Sequence, residues 1–130
     1  MKKVFVDGIL TTEINGRAIS AGGMKFYPGS YDILCLGDYV NGKRQPVRIR
    51  KAGRVTEYNG TLYGITKEFK CYTITHIPSG LVCSPYHPDT IKEAAAAIIK
   101  AEEMLQRLPD KLTQLESGRN RMQNAPARNA

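Results

Sequence analysis

The first 85 residues read as a succession of short strand-like segments in which apolar and polar side chains tend to alternate, the period of a half-buried β-strand. Asn-Gly punctuates them three times, at Asn15-Gly16, Asn41-Gly42 and Asn59-Gly60. A type I′ turn needs positive φ at both central residues, and Asn followed by Gly meets that need at least cost. Three hairpins are therefore predicted. The first joins Leu10 to Ile14 with Arg17 to Ser20, the second Asp32 to Val40 with Val47 to Lys51, and the third Arg54 to Tyr58 with Thr61 to Thr66. A further strand, Phe69 to Ile77, is rich in β-branched and aromatic residues and turns at Pro78-Ser79-Gly80 into Leu81 to Cys83. The stretch from Ala21 to Ser30, with its Gly and Pro, is expected to be the longest connection, either an ordered surface loop or a mobile lid.

After Pro85 and Pro88 the period changes. Thr90-Ile91-Lys92-Glu93 matches a capping box, with Asp89 as an alternative cap. From there Ile91, Ala94, Ala95, Ile98, Ala101, Leu105 and Leu108 recur at steps of three and four, so the helix has one apolar face to lay on the sheet. Ala96, Ala97, Ile99 and Met104 widen that surface enough to admit a second helix or another subunit. Pro109 ends the helix, and Asp110 to Glu116 has room for a short second one before Gly118. The expected fold is α+β: an antiparallel, hairpin-rich sheet or small, partly open barrel, followed by one amphipathic helix and a short second helix. Residues 1–118 form one domain in this reading, and 119–130 a basic tail that stays mobile unless a partner holds it.

Charge changes the picture most. Nineteen Lys and Arg against twelve Asp and Glu give a net +7, which favours anionic partners and says nothing about fold. Residues 43–54 concentrate that charge, with Lys43, Arg44, Arg48, Arg50, Lys51 and Arg54 and no acidic residue. Alternation puts Arg48 and Arg50 on one strand face, about 7 Å apart, a spacing suited to bidentate contacts with neighbouring phosphates. The bland alternative is a solvated sheet edge, defended against aggregation by its charges and by Pro46. Tyr58, Tyr63, Phe69 and Tyr72 are candidates to stack on bases or an adenine ring, although strand aromatics more commonly pack in cores.

Other chemistry finds less support. Cys71, His76, Cys83 and His87 have a zinc-compatible composition, but intervening stretches of four, six and three residues match no zinc motif, so no metal and no cofactor is expected. Neither a nucleophile elbow, nor a Walker phosphate loop, nor His-Glu-x-x-His occurs, and the chain reads as a binding protein more than as an enzyme. Three cysteines without Cys-x-x-Cys spacing fit a reducing compartment, and the lack of a long apolar run points to a soluble intracellular protein with no membrane partner.

In outline, with hairpins through two thirds of its length, the segment Thr75-His76-Ile77-Pro78-Ser79-Gly80-Leu81 and a helix opening Thr90-Ile91-Lys92-Glu93-Ala94, the chain resembles small proteins encoded by bacteriophages. Among them it is most similar to anti-defence proteins of the Thoeris anti-defence or anti-CRISPR type, over roughly residues 31–108. The resemblance lies in layout and transfers no binding residue. It implies a stoichiometric inhibitor or sponge in the host cytoplasm, acting on a nucleotide signal or on a host complex that handles nucleic acid; a homo-oligomer through the Ala-rich helix, for which the alanines leave room, would favour that reading. The alternatives are a nucleic-acid-binding accessory protein and a virion or assembly component.

Overall fold

The computed structural model describes residues 2–6, 9–84, 87–107 and 127–128. Its sheet is antiparallel and open, in the order β1 (Lys2–Val6), β2 (Ile9–Ile14), β4 (Met24–Val40), β5 (Lys43–Tyr58), β6 (Thr61–Glu68), β7 (Cys71–His76), β8 (Leu81–Val82). The short β3 (Ile19–Ala21) pairs with the start of β4. A backbone hydrogen bond from Leu34 N to Gly80 O, 2.9 Å, draws the turn after β7 back to the edge of β4, so the sheet curls without closing. One helix, α1 (Ile91–Arg107), follows. The architecture is α+β as expected; the segment 110–116 proposed for a second helix lies outside the described residues, as does the domain limit at 118.

Two of the three Asn-Gly pairs make the predicted turns, because both of their residues take positive φ: 53° and 78° at Asn41-Gly42, 51° and 76° at Asn59-Gly60. At Asn15-Gly16 only the glycine does, at 66°, and no hairpin forms there. Instead β2 pairs with β1 on one side and with β4 on the other, in a register set by Thr12↔Tyr31 and Ile14↔Gly29. The N-terminal strand β1 was not foreseen. Nor does Ala21 to Ser30 form a loop or lid: a tight turn at Gly22-Gly23 joins β3 to β4, which runs on through Pro28 and Gly29. Gly29 is needed because a Cβ there would collide with the carbonyl of Glu13 on β2.

Likewise Val47 to Lys51 and Arg54 to Tyr58 are one strand, β5, which pairs with β4 over most of its length and with β6 only from Arg54 onward. Phe69 belongs to the two-residue turn between β6 and β7 and not to a strand. Residues 127–128, in the segment expected to be a mobile tail, form β9 (Ala127–Arg128) in parallel beside Arg48 and Ile49; 119–126 lie outside the described residues.

The helix begins as the capping signal requires. Glu93 N donates to Thr90 Oγ1 (3.1 Å), while the Glu93 carboxylate accepts from the amide of Asp89 (3.1 Å), one residue earlier than an ideal box. Ala94, Ala95, Ala97, Ile98, Ala101 and Leu105 are buried, and the small side chains let the helix lie close on the sheet. That face packs on Met24, Phe26, Tyr63, Ile65 and Ile74. The other sheet face holds a smaller cluster of Tyr31, Val55 and Ile77 with Ile14, Ile33 and Leu62. Gly64 makes room there, since a Cβ on it would meet the Tyr31 ring. No helix among the described residues is long and apolar enough to cross a membrane.

Candidate functional site

Arg48 and Arg50 do share one face of β5, but their guanidinium groups converge on a carboxylate. Asp32, directly across from Arg50 on β4, accepts from Arg50 Nε at 2.6 Å and from Arg48 Nη1 at 3.0 Å. Arg50 spends its remaining nitrogens on Ser30 Oγ (3.3 Å) and the Leu10 carbonyl (3.2 Å), and lies 4.0 Å from Glu13. The Asp32 side chain is only 6% exposed, against 13% for Arg48 and 33% for Arg50. A buried carboxylate needs such partners, because its lost hydration is repaid only by well-placed donors. The pair of forks foreseen for neighbouring phosphates is thus committed to joining β2, β4 and β5.

The rest of the ribbon is dispersed. Lys51 points to the opposite face and pairs with Glu68 at 3.3 Å. Lys43 is exposed and Arg54 half-buried, and neither has a carboxylate partner among the described residues; Arg44 lies in β5 with its side chain outside the description. The aromatic candidates separate too. Tyr63 is fully buried beneath α1, its hydroxyl bonded to the carboxylate of Glu102, and burial raises its pKa. Tyr58 and Tyr72 are half-buried at the border of the same core, with the Lys67 ammonium 5.7 Å from the centre of the Tyr72 ring. Only Phe69 stands clear of the protein.

No group of three His, Cys, Asp or Glu side chains among the described residues is arranged to hold a metal. Cys71 Sγ faces the Glu68 carbonyl, and His87 is exposed. Burial pushes the Cys83 thiol up to about 12, with the Glu102 charge adding to it. His76 Nδ1 lies 2.9 Å from Ser79 Oγ, but Ser79 is fully buried and its hydroxyl also serves the His76 carbonyl and the Leu81 amide, both at 3.2 Å. That pair fastens a turn and offers no accessible nucleophile. Burial lowers the His76 pKa, against the opposing pull of Glu102. On acidification below about 6.5 the unfolded imidazole takes up a proton that the folded one resists, so stability falls with pH. The urea midpoint is expected to drop between roughly pH 7 and pH 5, less steeply for His76→Gln.

The other sheet face carries a site that composition did not reveal. Register places Lys2 beside Ile14, Tyr27 beside Val55 and Glu57 beside Leu62, and alternation turns all six to one side. With Lys25 and the Asn15-Gly16 bend they line a cleft of about 570 Å³, inside the range of roughly 300–1,000 Å³ usual for small-molecule sites. Its floor is apolar, Ile14, Val55 and Leu62, and Tyr27 adds an aromatic wall. Lys2 and Lys25 are exposed ammonium groups at its rim, and among the described residues Glu57 is the one carboxylate in the lining. Thr56 also borders the cleft, but alternation sends its hydroxyl to the helix side, where it is buried with no hydrogen-bond partner among the described residues.

No family model, no curated protein and no solved structure matches this chain. What the cleft can do follows from its lining alone. An apolar floor with an aromatic wall suits a flat or aliphatic group, and two ammonium groups suit a phosphate or carboxylate attached to it. The signal for this site was weak in sequence because its lysines lie 23 positions apart (25 − 2) and meet only through strand pairing.

Proposed function

We propose that the protein is a non-enzymatic binding protein whose ligand is a small organic anion, such as a nucleotide, held in the cleft between the β1–β2 hairpin, the start of β4 and the β5–β6 hairpin. The observation that carries this reading is the pairing of an apolar, tyrosine-walled floor with the two lysines at its rim. Sequestration of a nucleotide signal, the activity implied by the layout resemblance to phage anti-defence proteins, would require nothing more than such a site. The basic ribbon contributes indirectly, by fixing β2, β4 and β5 in the register that shapes the cleft.

Calorimetric titration with ADP, cyclic AMP and inorganic pyrophosphate tests this. At least one nucleotide should bind more tightly than pyrophosphate, because only the nucleotides have a flat group for the floor. Lys25→Glu should weaken it about tenfold or more, since one favourable charge becomes an unfavourable one near the ligand. Equal affinity of Lys25→Glu and the parent chain, or no binding by any of the three, would remove the proposal.

A further inference from the structure

The β6–β7 turn breaks a rule that the chain otherwise keeps. Besides the Gly22-Gly23 turn, three two-residue hairpin turns have positive φ at both positions, and two of them carry Asn-Gly. The third, with φ of 56° and 103°, carries Phe69-Lys70. A bulky side chain is badly suited to this left-handed backbone. Nor does packing explain its presence, because Phe69 is 96% exposed and gains no burial in return for the strain. A residue that is unfavourable for the backbone and unfavourable in water is retained, by physical argument, for a contact outside the chain.

The surroundings indicate what the contact is. Lys67 and Lys70 flank the ring and are exposed, while Glu68 between them is paired with Lys51. The tip therefore presents a flat apolar ring between two exposed ammonium groups, of which Lys67 also lies 5.7 Å from the Tyr72 ring centre. The ring stands at the end of a hairpin and is almost wholly exposed. An unstacked base meets the ring face to face, and its flanking phosphates meet the lysines.

We propose that the β6–β7 tip is a single-stranded nucleic-acid contact in which Phe69 stacks on one base and Lys67 and Lys70 hold adjacent phosphates. The site stands on other residues than the cleft and does not depend on it. Fluorescence anisotropy with a short labelled oligothymidylate at low salt tests it on the full chain. Phe69→Asn, which restores a favourable turn residue, should weaken binding about tenfold while the melting temperature stays level or rises. Phe69→Trp should bind within about twofold of the parent, because the stacking face is kept. Salt should weaken all three. Asn binding as tightly as Phe would overturn the proposal. So would a parent chain that fails to bind the oligonucleotide, in which case the exposed ring serves a protein pocket.

Discussion

Asp32→Ala is expected to lower the unfolding free energy by about 3–5 kcal/mol, the usual cost of removing one partner from a buried ion pair. Asp32 is almost inaccessible and accepts from two arginines on the neighbouring strand. Without it the more buried of the two, Arg48, loses its carboxylate at 3.0 Å, while Arg50 keeps its bonds to Ser30 and Leu10 and can turn partly to water. Replacing Arg48 and Arg50 together by alanine is expected to be destabilising as well, since a buried carboxylate is left behind. A surface ribbon free to bind phosphate would behave differently, losing affinity with its stability intact. Urea unfolding with an unchanged denaturant slope would show the loss. An Asp32→Ala midpoint within error of the parent would mean that the clamp contributes nothing.

Tyr63→Ala should cost a similar amount, about 3–5 kcal/mol, for a different reason. Its ring fills the centre of the helix–sheet core, next to Ile65, Ile74 and Ile98, and lies edge-on to the His76 ring at 5.7 Å. Truncation leaves a cavity that the alanine-rich helix has few long side chains to fill. Tyr63→Phe keeps the volume and loses only the bond to Glu102, whose carboxylate is partly exposed and can take a water instead, so about 1 kcal/mol is expected. Equal costs for the two substitutions in thermal or urea unfolding would show that the hydroxyl, and not the packing, joins α1 to the sheet.

These residues also mark what was legible in the chain. Turn chemistry at Asn41-Gly42 and Asn59-Gly60, the capping box at Thr90 and the helical period of Ile91 to Leu105 are local properties, and the structure follows them. Asn15-Gly16 misled because turn propensity does not decide which strands pair: β2 found β1 and β4 as its neighbours. Phe69-Lys70 was invisible as a turn because it has none of the usual residues. The positive ribbon could be read directly, but its counter-charge could not. Asp32 precedes Arg48 by sixteen positions and meets it only through the long β4–β5 register, which no local pattern specifies. The cleft is still less local, since five strands contribute to its walls.

In the proposed function the anionic group of the ligand meets Lys2 and Lys25 at the cleft, while Arg48 and Arg50 are engaged by Asp32. Backbone-amide NMR shift mapping during titration with a nucleotide tests this most directly. The largest changes should fall at Asn15, Gly16, Lys25, Tyr27 and Leu62, with little change from Arg48 to Gly53. Shifts concentrated at Arg48 to Arg54 with the cleft residues unmoved would contradict it.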